Sequence, residues 1–169
     1  MVTTVTTSAG CETVAGAGAT GISVDAQARP MVVFTLCNDH IDGATIYRDR
    51  LTTDPKGEDS SVPVADWNAI SPITPGNAMK ASLSTAEPSQ SWSRVGAVEA
   101  LRPGVRYVVY GWTRDNTWST AAVEFTLERL SRLKPGQVLT QTYVQATGKD
   151  VDTVQSYRQF ESSTCAVTS

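Results

Sequence analysis

The chain has 169 residues, 40% of them apolar, with 14 basic and 17 acidic side chains and a formal charge of −3. That length supports one domain with a proper core, alone or with an appendage. The charge balance leaves no electrostatic footprint for nucleic acid, and no apolar run approaches the ~20 residues that span a bilayer.

Charged residues make up 18%, below the ~25% usual for globular domains. Thr, Ser and Ala fill the gap, a balance common in secreted β proteins. The opening MVTTVTTSAG has neither the basic nor the apolar region of a signal peptide. It fits an intracellular protein or one whose signal was removed. Residues 1–20 are mostly small and polar, bury little, and are expected to form a flexible leader.

A short strand is expected at Ile22–Ala26. Pro30–Cys37, PMVVFTLC, is a continuous apolar run between Pro and Asn-Asp, which predicts a strand buried on both faces. Asn38–Gly43 is a turn, and Ala44–Arg50 the next strand, with Ile46 and Tyr47 on opposite faces. Further strands are expected at Val62–Ile70, Ala78–Ser84 and Ser91–Val98. Thr52–Ser61 and the prolines at 72 and 75 separate them. After the Pro103-Gly104 turn, Val105–Thr113 is rich in β-branched and aromatic residues and reads as an interior strand. Arg114–Thr117 is a polar loop. Trp118–Thr126 alternates, with Ala121, Val123 and Phe125 set inward. Leu127, Leu130 and Leu133 sit at helical spacing and predict a short turn of helix. Gln137–Ala146 reads as a strand. Asp150 is a candidate cap for a last helix carrying Val151, Val154, Tyr157 and Phe160, although that stretch also alternates as a strand would.

Three cysteines, Cys11, Cys37 and Cys165, have no metal-ligand spacing. Cys37–Cys165 is the favoured disulfide, because it would tie the tail to a core strand. Three reduced thiols, with Cys37 buried, is the other reading. Cys11 follows two small residues and so also fits a lipid-anchor cysteine, but the segment before it is not apolar.

Turn signals roughly ten residues apart, over seven or eight short strands, predict an all-β antiparallel sandwich. Leu101-x-Pro103-Gly104-x-x-Tyr107 resembles the tyrosine corner of fibronectin type III domains, in the immunoglobulin-like class. There the Tyr ring enters the core and its hydroxyl bonds to the turn backbone. The resemblance covers about residues 22–127. With the leader at 1–20, the expected division is then a sandwich at 21–127 and an extension at 128–169 with short helical turns packed on it. YGWTRDNTWS followed by LKPGQV resembles small secreted bacterial proteins of unknown function, which implies export.

His40 is the only histidine, so any Ser-His-Asp or Cys-His scheme must use it, oriented by Asp39 or Asp42. No nucleophile motif accompanies it, and a turn histidine bonded to its own loop is the plainer expectation. Asn38, Asp39 and Asp42 offer oxygens to calcium, but the twelve-residue loop motif is missing and turn formation explains them. The resemblance places the loop after the second strand and the loop between the last two at one end. Asp39, His40, Arg114, Asp115, Asn116 and Trp118 would then form one binding surface. The alternative for Trp118 is packing against Trp112 or Tyr110 at the core edge.

The expectation is a non-enzymatic binding or structural module, extracellular or on the cell envelope, whose partner is a protein or a glycan. It needs no cofactor and no metal. Rival readings are a carbohydrate-binding module using its tryptophans, a phage or surface-assembly component, and a small hydrolase built on His40.

Overall fold

The computed structural model describes residues 15–48, 61–76, 79–82, 91–96 and 99–166. They are mostly β, with two short helices. In chain order the strands are β1 (Ala15–Val24), β2 (Pro30–Leu36), β3 (Ile41–Arg48), β4 (Val62–Ile73), β5 (Met79–Ser82) and β6 (Trp92–Val95). They continue with β7 (Tyr107–Trp112), β8 (Trp118–Ala121), β9 (Val123–Phe125), β10 (Gln137–Val144) and β11 (Lys149–Ser156). The helices are α1 (Leu127–Leu130) and α2 (Tyr157–Thr164). None of the described helices is long and apolar enough to cross a membrane.

β2 lies between β1 and β5. On its other edge, β1 is shared: Ala15–Ala19 pairs with β8, and Ile22–Ser23 pairs with β10. β7 lies between β3 and the β8–β9 run, and β3 lies between β7 and β4. β6 closes that side and β11 the other. The all-β expectation holds, but not every pair is antiparallel, because β1 and β8 run parallel.

The main core is drawn from most of these strands. Phe34, Ile41, Ile46, Tyr107, Val109, Val123 and Phe125 are each at most 1% exposed and belong to one cluster. β2 is buried from Val32 to Leu36, as its unbroken apolar run predicts. Its alternate residues serve two clusters, with Val32 and Phe34 in the main core and Val33 in a smaller one with Val138 and Phe160.

The flexible leader expected at 1–20 does not hold for residues 15–20, which form six of the ten positions of β1, while residues 1–14 lie outside the described residues. Small side chains put them there. Ala17 is fully buried, and a Cβ on Gly18 would lie 2.1 Å from the Thr35 carbonyl oxygen. Only glycine lets β1 approach β2 this closely. The Trp118–Thr126 run also departs from simple alternation. It breaks at Ala122, which turns Thr120 inward and Ala121 out while Val123 and Phe125 stay buried. The Thr120 hydroxyl has partners inside: it meets the Thr20 hydroxyl at 2.6 Å and accepts the Gly111 N–H at 2.7 Å.

At the corner before β7, the Tyr107 hydroxyl accepts the Arg102 backbone N–H at 2.8 Å, and the ring is 1% exposed. Glu128, in the first turn of α1, accepts the Gly104 N–H at 2.8 Å. α1 thereby caps the same corner.

The C-terminal stretch resolves the helix-or-strand choice in both directions. Lys149–Ser156 is strand, paired along its whole length with β10, and Asp150 caps nothing. The helix starts after Ser156, whose side chain forms a capping box with Gln159. Phe160 alone of α2 is buried. The Cys37–Cys165 disulfide joins the end of α2 to the end of β2, with Cα atoms 5.2 Å apart. Cys11 lies outside the described residues.

Two substitutions test this architecture by urea unfolding. Tyr107→Phe strands a backbone N–H at the corner and is expected to cost about 1–2 kcal/mol. Gly18→Ala forces β1 and β2 apart and is expected to cost about 1–3 kcal/mol. Wild-type midpoints for either variant would contradict the contact it removes or crowds.

Candidate functional site

The polar end of the fold is built from the β2–β3 turn and the β7–β8 loop. Thr113 organises the second. Its hydroxyl oxygen accepts the N–H groups of Thr117 at 3.1 Å and Trp118 at 2.9 Å. Its own N–H donates to the Trp118 carbonyl at 3.0 Å. Asn116 adopts a left-handed φ of 58° and donates its N–H to the Thr113 carbonyl at 2.9 Å. Asn tolerates this conformation better than most residues, which accounts for its place at the tip. Asp115 accepts the Thr117 hydroxyl at 2.8 Å and the Thr117 N–H at 3.1 Å. These bonds, the hydroxyl first, hold its carboxyl below the ordinary aspartate range.

On the other loop, Asp39 is left-handed, with φ 41°, and its carboxylate pairs with His40 Nδ1. His40 Nε2 lies 3.4 Å from Asp42 Oδ2. The same Asp42 oxygen accepts the Arg114 backbone N–H at 2.8 Å. Asp42 is thus the hinge pin between the loops, bonded to the backbone of one and facing the histidine of the other. The hydrogen bond to Asp39 raises the His40 pKa above 6.5, burial opposes it, and the Asp42 charge adds to the rise.

Of the six residues singled out in the sequence, Asp39, His40 and Arg114 meet through Asp42. Asp115 and Asn116 share the Arg114 loop. Trp118 is half-buried and packs on the main core, so it is not an open platform. Tyr110 stacks on Tyr47 instead, with centroids 5.8 Å apart. His40 faces two carboxylates, an arrangement suited to holding an imidazolium and not to drawing a proton from a nucleophile. Among the described residues no three His, Cys, Asp or Glu side chains are grouped to hold a metal ion.

A second surface escaped the sequence reading. Tyr47, Tyr110 and Trp112 line the outer face of β3 and β7, beside Asp66 of β4. The Trp112 indole N–H donates to the Thr45 hydroxyl at 2.8 Å, and that hydroxyl donates to Asp66. Burial, then the Tyr47 contact, pushes the Tyr110 hydroxyl up to about 12. The alternation of Tyr110 and Trp112 is visible in YVVYGW. Their neighbour Tyr47 becomes one only through the register that sets Thr45 opposite Tyr110.

A histidine whose folded pKa exceeds its unfolded value of 6.5 contributes its full stability below that value. The contribution fades as pH rises through the raised pKa. NMR titration of the His40 ring is expected to give a midpoint above 6.5. Asp39→Asn is expected to lower it, and unfolding free energy to fall as pH passes the midpoint. A midpoint at or below the unreacted value would contradict the two-carboxylate arrangement.

Compared with known proteins, the chain matches no family model, no curated protein and no solved structure.

Proposed function

We propose that this chain is a non-enzymatic binding module of the cell envelope or extracellular space. In this reading it is an immunoglobulin-like, fibronectin type III-like sandwich that recognises a protein partner with the loops at one end. Three features support the fold type. β1, β2 and β5 form one pairing group, and β4, β3, β7 and β9 form another. The core cluster draws on both groups. The Tyr107 hydroxyl bonds back to its turn, as the family's corner requires. The disulfide supports an oxidising compartment, since such bonds persist mainly outside the cytosol.

The observation that carries the recognition surface is the bond from the Arg114 N–H to Asp42. It ties two exposed loops into one fixed surface, and fixed loops lose little entropy when a partner binds. The surface holds both signs of charge, on Asp39, Arg114 and Asp115, which suits electrostatic matching with a protein. A carbohydrate reading through Trp118 gains nothing from the half-buried ring.

The test is a photo-crosslinking amino acid placed at Arg114, compared with one at Arg132 beyond α1 at the opposite end. With the envelope fraction of the source cells, a discrete adduct is expected from position 114 alone. Adducts from both positions, or from neither, would sink the proposal.

A further inference from the structure

The outer face of the sheet made by β9, β7, β3, β4 and β6 is a surface that the loop end does not use. Register sets its residues. Thr45 lies opposite Tyr110 on one side and Asp66 on the other, and Asp66 lies opposite Val95. Tyr47 lies opposite Val108, and Gly43 opposite Trp112. Alternation sends their neighbours Ile46, Trp67, Val109 and Phe125 into the core.

The rings on this face are held in place. A Cβ on Gly43 would lie 2.3 Å from Cζ2 of Trp112, so only glycine admits the indole here. The indole N–H and the Asp66 carboxylate both bond to the Thr45 hydroxyl, which sets ring and charge side by side. Tyr47 and Tyr110 stack at an interplanar angle of 9°. After burial and the Tyr47 contact, the Asp66 charge also raises the Tyr110 pKa, so the carboxylate lies near that hydroxyl too. All three rings stay half-exposed, and Val95 is 46% exposed. Fixed Tyr and Trp rings with an apolar rim are what the centre of a protein interface offers.

Charge selects the occupant. Asp66 is half-buried, and among the described residues no basic side chain pairs with it. The arginines of the flanking segments are used elsewhere: Arg48 pairs with Glu99 and Arg106 with Glu124, while Arg94 lies opposite Trp67 on the other face. A neutral group covering Asp66 would leave a carboxylate desolvated and unpaired, and an anion would be repelled. A hard metal ion wants several oxygen ligands, and among the described residues no three His, Cys, Asp or Glu side chains are grouped to hold one. An organic cation satisfies the carboxylate and is also drawn to the negative ring faces. Arginine fits both features better than lysine, because its planar guanidinium stacks on rings while it forks to a carboxylate. A lone arginine-sized molecule would leave Val95 and Val108 uncovered, whereas a peptide chain covers them. The groove beside α2, about 460 Å³ in volume, has no charged side chain in its lining and offers such a cation nothing.

We propose that this sheet face docks an arginine side chain of a protein partner, stacked on the Tyr110 and Trp112 rings and paired with Asp66. It uses none of Asp39, His40 and Arg114, so it stands or falls separately from the loop surface.

The test is an NMR titration of the full chain, disulfide intact, with the blocked peptide acetyl-Val-Arg-Gly-Arg-Val-amide. Versions with lysine or citrulline in place of arginine, and N-acetyl-arginine amide, are the comparison ligands. The arginine peptide is expected to give saturable shifts at the Trp112 indole N–H and at the Tyr110 and Asp66 amides. Citrulline, neutral and nearly the same shape, is expected to weaken binding by about tenfold or more. Lysine and N-acetyl-arginine amide are each expected to bind several-fold more weakly. Asp66→Asn keeps an acceptor for Thr45 and is expected to cost the arginine peptide about tenfold while leaving the citrulline peptide unchanged. The citrulline comparison uses the unaltered chain, so it decides the matter if that variant fails to fold. The proposal is overturned if the arginine peptide gives no saturable shifts, or if any comparison ligand binds as tightly as it does. It is also overturned if Asp66→Asn folds and binds as wild type does, or if the shifts fall instead at Asp39, His40 and Arg114.

Discussion

The fold depends on the close approach of β1 to its neighbours. β1 meets β2 on one edge and both β8 and β10 on the other, so two parts of the sheet are joined through a single strand. Its sequence, AGAGATGISV, is poor in bulk where contact is tightest. A Cβ at Gly18 would collide with β2 backbone, and one at Gly21 would lie 2.3 Å from a Val138 methyl. The missing side chains weaken the strand's intrinsic preference and make its placement possible. Ile22 and Val24, both buried, restore apolar area at its far end.

From that strand outward, several buried hydroxyls are paired within the fold, although that of Thr35 is not. Thr20 and Thr120 share a hydrogen bond, and Thr120 also takes the Gly111 N–H. These bonds explain how hydroxyls replace methyls in a dry interior without large cost. The corner at Tyr107 follows the same logic at the rim. The disulfide acts on different material. It holds α2 over Val33 and Val138, where the helix has one buried side chain of its own to anchor it.

The loop end and the groove beside α2 have opposite chemistry. The loop end is charged, with one histidine between two aspartates and a backbone bond fixing both loops. The groove beside α2 is charge-free, with small apolar residues such as Gly16, Ala19 and Ala121 beside hydroxyls and carboxamides. In the proposed reading a protein partner takes the first; the groove differs from it in carrying no charged side chain.

The sequence by itself determined the elements whose signal is local. PMVVFTLC is a strand because its short β-branched and aromatic run is bounded by Pro on one side and Asn-Asp on the other. LERL turns into a helix after Thr126, whose side chain caps it. The Pro-Gly bend and Tyr107 announced a corner, and of the two readings of the cysteines the favoured Cys37–Cys165 pairing is the one formed. The loop cluster was legible in outline, since Asp39, His40 and Arg114 sit in strongly polar turns between good strands. Tertiary structure alone decided the rest. AGAGAT looked too small to be ordered, because the area it buries belongs to its neighbours and appears nowhere in its own composition. Trp118 is half-buried because the main core reaches it. The groove exists only because a parallel pairing, a hairpin and a disulfide-held helix converge from residues 16 to 164. Short-range pattern fixes what a segment can be; which segments share a surface is set by long-range pairing, which no local window contains.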